Sequence, residues 1–209
     1  MKIAREGYPL IIAAAASSVL FFAVGGTPIG IFLGLLTLAM AGFFRDPDRM
    51  IPNGEGLIVS PADGKVVRIA NIAGDPLLTD AVTRISIFLS PLDVHINRAP
   101  VAGTIEEIKY RPGKFLAAYH EEASKVNEQN ALRIVDGGGR KFAVVQIAGV
   151  LARRIICRAK RGDELARGDR FGLIMFGSRT DTYLPSGCRV EVAEGQRVRG
   201  GETIIGRFA

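Results

Sequence analysis

The chain has 209 residues, a net charge of +6, 48% hydrophobic residues, two cysteines and two histidines. So few cysteines exclude a disulfide-built scaffold, and these scattered thiols and imidazoles do not make a zinc site, so no metal is expected. The positive balance suits anionic surfaces, but no helix-turn-helix, zinc-finger or aromatic RNA-binding pattern is present, so a nucleic-acid partner is not expected.

Residues 10–24 read LIIAAAASSVLFFAV, without a charge, and residues 29–44 read IGIFLGLLTLAMAGFF, again uncharged. Gly25-Gly26-Thr27-Pro28 separates them. Each run is shorter than the roughly 20 residues of a membrane-spanning helix. Together they predict a helical hairpin with the Gly-Pro step at its tip. Lys2, Arg5, Arg45 and Arg49 flank the outer ends and no charge sits at the tip. That distribution puts both ends on the cytoplasmic side of a membrane, and the lack of a polar face argues against a soluble helical pair. Residues 1–49 are therefore expected to form a membrane-associated unit.

From residue 50 the text changes to short β-branched runs punctuated by glycine and proline. Strands are predicted at 57–59, 65–69, 84–89, 140–147, 154–157, 171–176 and 189–192, with a short helix within 117–127. The expected fold is mainly β, a compact domain over 50–209 large enough to bury a core. The tail from Gly187 onward has strand–turn–strand spacing like the hairpins of biotinyl and lipoyl barrel-sandwich folds, and the segment from Ser60 to Val66 looks like a matching turn. A carrier of that type needs a lysine at the hairpin tip, and Glu194-Gly195-Gln196-Arg197 has none. Cys157 and Cys188 read as buried reduced thiols.

Three segments carry candidate chemistry. Asp63, in Pro61-Ala62-Asp63-Gly64, fits a type I turn as well as a functional carboxylate. His95 ends an apolar run and opens a polar loop, a common place for function, whereas His120 reads as a solvated surface residue. Gly177-Ser178 is the only Gly-Ser step in the chain and follows an apolar run. A turn is its simplest reading. The other is chemical: glycine lets a hydroxyl approach the preceding carbonyl closely, and a strained peptide there stores energy for cleavage. A serine, an imidazole and a carboxylate form a nucleophile–base–orienter set in any sequence order. The Gly-x-Ser-x-Gly elbow of ordinary serine hydrolases is absent.

In order and spacing, these segments resemble the phosphatidylserine decarboxylase family in its short form. The resemblance runs through Phe43-Phe44-Arg45-Asp46-Pro47, Ser60-Pro61-Ala62-Asp63-Gly64-Lys65-Val66 and Pro91-Leu92-Asp93-Val94-His95. It continues through Tyr110-Arg111-Pro112-Gly113-Lys114-Phe115, Asn127-Glu128-Gln129-Asn130, Gln146-Ile147-Ala148-Gly149, Arg153-Arg154-Ile155 and Phe176-Gly177-Ser178-Arg179.

The resemblance implies a self-processing proenzyme cut between Gly177 and Ser178 into a β chain of residues 1–177 and an α chain of residues 178–209, held together as a heterodimer. Ser178 becomes a pyruvoyl group, the covalent cofactor. That group forms a Schiff base with phosphatidylserine and takes up the electrons left by carbon dioxide, so that phosphatidylethanolamine is released in phospholipid biosynthesis. The implied location is the cell membrane, with the catalytic domain on its cytoplasmic face. His95 and Asp63 are the implied partners of Ser178, and Arg98 and Lys114 the expected substrate contacts. Longer relatives carry a second histidine three positions after the first. Here that position is Arg98, which cannot act as a base. The alternatives are a decarboxylase of another serine phospholipid, such as an archaetidylserine-like one, and a non-enzymatic membrane-anchored β module.

Overall fold

The structure is a computed structural model of the whole chain, and its described residues are 2–72, 82–118, 122–150, 154–175 and 177–208. His120, Arg153 and Phe176 lie outside them. The chain forms two compact units, Met1–Asp48 and Arg49–Ala209.

In the first unit a 3-10 turn at Arg5–Gly7 leads into α1 (Tyr8–Ala23), and α2 (Thr27–Phe43) follows. Each helix carries a proline in its first turn, Pro9 and Pro28, where the missing N–H leaves no bond unmade. Gly25 turns the chain between them with φ +80. The helices approach closely through small residues. Ser18 Oγ donates to the Gly30 carbonyl at 2.7 Å, and a side chain on Gly30 would run into the Phe22 ring. The ends of the hairpin are joined by Ala4 N–H donating to the Phe44 carbonyl and Asp46 N–H to the Lys2 carbonyl, both at 2.8 Å. Large apolar side chains stay exposed, with Val19 at 69% and Leu38 at 70%. The apolar helical stretch Arg5–Ala23, 19 residues, is long enough to cross a membrane; α2 is shorter.

The second unit is mainly β, as expected. Its strands are β1 (Leu57–Val59), β2 (Gly64–Ile72), β3 (Val82–Leu89), β4 (Ile96–Arg98), β5 (Gly103–Arg111), β6 (Gln129–Val135), β7 (Lys141–Ile147), β8 (Ile155–Cys157), β9 (Glu164–Leu165), β10 (Arg170–Ile174), β11 (Ser178–Pro185), β12 (Cys188–Val190), β13 (Arg197–Val198) and β14 (Ile204–Phe208). An eight-stranded sheet runs β13-β2-β3-β11-β7-β6-β5-β9, and two three-stranded sheets run β1-β14-β12 and β4-β10-β8. The core is aliphatic: Ile58, Val66, Ile85, Ile87, Ile134, Phe142, Leu184 and Ile205 pack together with no exposed surface. The helix expected within 117–127 is, among the described residues, one turn, α3 (Ala123–Val126).

The tail pairs with the turn it resembles, Arg197 opposite Lys65 and Val198 opposite Gly64. Gly64 is required there, because its φ is +152 and a side chain would overlap the Phe88 carbonyl. Cys157 and Cys188 are free thiols, but half-buried rather than fully enclosed.

Candidate active site

Ser178 is the first residue of β11, not a turn residue. The chain leaves β10 in one sheet after Ile174 and enters the centre of the eight-stranded sheet at Ser178, opposite Leu89 of β3. So abrupt a transfer needs an unusual backbone, and Gly177 supplies it at φ +60, where a side chain would be strained. Ser178 has no exposed surface, and its Oγ has no hydrogen-bond partner among the described residues. A buried hydroxyl left without a partner costs about 1–3 kcal/mol, and such a group in a native fold asks for a functional explanation.

The carbonyl that precedes Ser178 is also held. The Gly177 oxygen packs so closely on Gly149 that a methyl group there would overlap it. The segment bearing Gly149 is fixed by buried Asn127. Its Nδ2 donates to the Ala148 carbonyl at 2.7 Å and the Leu116 carbonyl at 2.8 Å, and its Oδ1 accepts from Leu116 N–H at 2.9 Å. Gly149 and Asn127 lie in segments that the resemblance singled out, but nothing local in the sequence reveals that Gly149 meets the Gly177 carbonyl.

His95 is 2% exposed, and its carbonyl accepts from Ile174 N–H at 3.3 Å, at the end of the strand that leads to Gly177-Ser178. Its Nδ1 lies 2.9 Å from the Asp93 carbonyl oxygen. A carbonyl only accepts, so Nδ1 carries the proton and Nε2 is the basic nitrogen. The Asp93 loop is braced in turn. Asp93 Oδ2 accepts from Ser90 N–H at 2.8 Å and Ser90 Oγ at 2.7 Å, and Oδ1 from Arg197 at 3.0 Å. Burial works to raise the Asp93 carboxyl, but those Ser90 and Arg197 contacts outweigh it and hold the group below the ordinary carboxylate range.

Among the described residues the Asp63 carboxylate meets no histidine, where the sequence reading expects it to orient one. Its carboxylate accepts from Arg49 Nη2 at 2.7 and 3.0 Å and from Gly200 N–H at 2.8 Å. A guanidinium that is itself buried is the stronger partner, and it ties the 60–64 turn to the 199–202 turn through Glu202 as well.

The two expected substrate cations differ. Arg98 is 5% exposed, its N–H donates to the Pro61 carbonyl and its Nη1 to the Gly168 carbonyl at 2.9 Å. Lys114 is exposed, on a segment bridged to Asn127. The thiols are poor nucleophiles: burial pushes Cys188 up to about 12 and raises Cys157.

On the opposite face of β11 a buried ion pair went unread in the sequence. Arg179 Nε donates to Asp181 Oδ1 at 2.6 Å and Arg179 Nη2 to Asp181 Oδ2 at 2.8 Å. Ser124 Oγ closes the cluster, donating to Asp181 Oδ2 at 2.7 Å and accepting from Arg179 Nη2.

Residues 36–206 match the family described as phosphatidylserine decarboxylase. Among curated proteins, the phosphatidylserine decarboxylase proenzyme of Nitratidesulfovibrio vulgaris is 44% identical over 207 residues, covering 99% of this chain and 95% of that protein. The proenzyme of Symbiobacterium thermophilum is 47% identical over 206 residues, with 99% and 95% coverage. That of Paramagnetospirillum magneticum is 48% identical over 204 residues, with 96% and 85% coverage.

Proposed function

This chain belongs to the phosphatidylserine decarboxylase family, and from that premise we propose that it cuts itself at Gly177-Ser178 and then converts phosphatidylserine to phosphatidylethanolamine. The observation that carries the reading is Ser178 itself, a fully buried hydroxyl without a partner among the described residues, directly after a glycine at φ +60.

Ser178 Oγ attacks the Gly177 carbonyl carbon. The new C–O bond replaces the C–N bond, the serine amine is freed and an ester joins the two residues. Removal of the Ser178 α-proton then expels the Gly177 carboxylate and leaves a dehydroalanine. Water converts it to a pyruvoyl group and ammonia. His95 Nε2 is the basic nitrogen suited to take the Ser178 proton, with Nδ1 fixed by the Asp93 carbonyl. Asp63 is a positioning residue in this scheme. Through Arg49 and Gly200 it fixes the turn whose Pro61 carbonyl holds Arg98 N–H. The site fits the group: a residue that lacks exposed surface, flanked by Leu89, keeps water away from a reactive carbonyl. When formed, the pyruvoyl carbonyl supplies an electrophile for the substrate amine and a sink for the electrons left as carbon dioxide departs.

Substrate delivery follows from the first unit. Its exposed apolar helices suit insertion at a lipid surface, and its basic ends favour the cytoplasmic face of the cell membrane. In this reading Lys114, exposed on a pinned segment, meets the phospholipid phosphate, while Arg98 braces the Gly168 carbonyl. After cleavage the two chains remain a heterodimer, because β11 keeps β3 on one side and β7 on the other.

Intact mass measurement of the purified protein, beside Ser178→Ala, tests the reading. Two chains divided at 177/178, the smaller blocked by a carbonyl that borohydride reduces, are expected, together with phosphatidylethanolamine formation from phosphatidylserine micelles. An uncut wild-type chain after incubation with lipid overturns it.

A further inference from the structure

A chain of side-chain amides runs through the interior, with Gln146 of β7 opposite Thr180 of β11. Gln146 Nε2 donates to the Ile156 carbonyl at 3.3 Å and to Asn97 Oδ1 at 2.9 Å, and Gln146 Oε1 accepts from Asn130 Nδ2 at 3.0 Å. The order of these groups is dictated. A backbone carbonyl only accepts, so it fixes which end of Gln146 is the nitrogen. That nitrogen then requires the oxygen of Asn97. The chain therefore ends on Asn97 Nδ2, a pair of N–H donors. Asn97 has no exposed surface, and Nδ2 has no partner among the described residues.

A second orphan lies in the same row. Gln146 faces Thr180 across β7 and β11, and Thr180 Oγ1 is likewise buried without a partner. Thr180 shares one face of β11 with Ser178, two residues and about 7 Å along the strand. Thr180 thus sits one strand step from the reacting serine, and Asn97, in β4, follows His95 by the same two residues.

We propose that Asn97 Nδ2 and Thr180 Oγ1 form the receptor for a head-group oxyanion of the substrate, a carboxylate or phosphate oxygen, beside the group made from Ser178. This rests on the decarboxylase reading above. Two neutral donors match an anionic acceptor, and their orientation is set in advance by Gln146, so little ordering is needed when substrate arrives. Fully buried hydroxyl and amide groups that are unpaired among the described residues gain their partner in the complex.

Thr180→Val tests this, because it keeps the shape and removes only the hydroxyl. Thr182→Val is the control: its Oγ1 is also buried and unpartnered, but it lies a further step along the strand, level with Ile85 and Val144. Full-length variants are measured with phosphatidylserine in detergent micelles, following self-cleavage by mass and turnover by phosphatidylethanolamine release. Thr180→Val is expected to cleave like wild type and to melt no lower, with kcat/KM reduced about 10- to 100-fold, the range for a hydrogen bond to a charged group. Thr182→Val is expected to keep wild-type turnover. Asn97→Ala is expected to lose at least as much as Thr180→Val. Inhibition by phosphatidylethanolamine, which has the phosphate but lacks the carboxylate, separates the sources: inhibition weakened in Thr180→Val assigns the phosphate, and inhibition unchanged assigns the carboxylate. Wild-type kcat/KM in Thr180→Val overturns the proposal, as does slowed self-cleavage, which moves these groups to processing. A wild-type chain that cuts itself but leaves phosphatidylserine intact overturns the decarboxylase reading instead.

Discussion

The carbonyl oxygen of Gly177 rests on the α-carbon of Gly149, two residues that the chain separates by the whole of β8, β9 and β10. Ordinary backbone flexibility does not explain this glycine, whose φ is not in the left-handed region; close approach does. Gly149→Ala must push the scissile carbonyl out of place. Self-cleavage is expected to slow at least about tenfold, since misplacing a reacting atom by an ångström costs up to about a hundredfold. Time-resolved gel analysis of freshly refolded protein measures it, and cleavage at the wild-type rate would show that the contact does not position the carbonyl.

Asp93 supplies a pH signature. Its carboxyl is held below the ordinary value of 3.8 in the folded chain. The folded state therefore binds fewer protons than the unfolded one as acid is added. The stability that this group contributes is complete above the unfolded value and is lost as pH falls through the lowered folded value. Wild type should thus exceed Asp93→Asn in urea midpoint at pH 7, and the gap should close as pH falls through the lowered folded value. A gap that widens in acid would contradict the assignment. Since Asp93 also braces His95, the variant should cleave itself more slowly.

The Arg179–Asp181 pair is enclosed, with side-chain exposures of 2% and 0%. Removing one member strands the other charge. Arg179→Met is expected to destabilise by about 3–5 kcal/mol, and Arg179→Met with Asp181→Asn by less than the sum of the single changes. Chemical denaturation of the four-member cycle reads the coupling, and additive effects would exclude it.

The position of β11 predicts that cleavage does not separate the products. Eight residues of β11 pair with β3 and five with β7. Size-exclusion chromatography of the cut protein in detergent should give one species, and the α chain should come free only in denaturant. Release under native conditions would argue against the observed register.

Much of this architecture is written locally. The apolar runs around Gly25 and Pro28 form the helical pair, and the β-branched runs at 57–59 and 140–147 become β1 and β7. The strand that matters most was not legible. Ser178-Arg179-Thr180-Asp181-Thr182 is polar at every position, so no alternation marks it, yet all five residues are buried. Its charges pair with each other on one face, and on the other its hydroxyls stay unpaired.

By itself the sequence determined the family, the mainly β class and the apolar N-terminal pair, because each is encoded in contiguous residues or their order. The tertiary structure alone decided the partners. It gave Asp63 to Arg49, set the His95 tautomer through a backbone carbonyl, brought Gly149 to the Gly177 carbonyl and ended an amide chain on Asn97. Each is a contact between residues that are distant in the chain or a bond to a main-chain carbonyl. Residue identity carries neither, because sheet register and the packing of one sheet on another choose which groups meet.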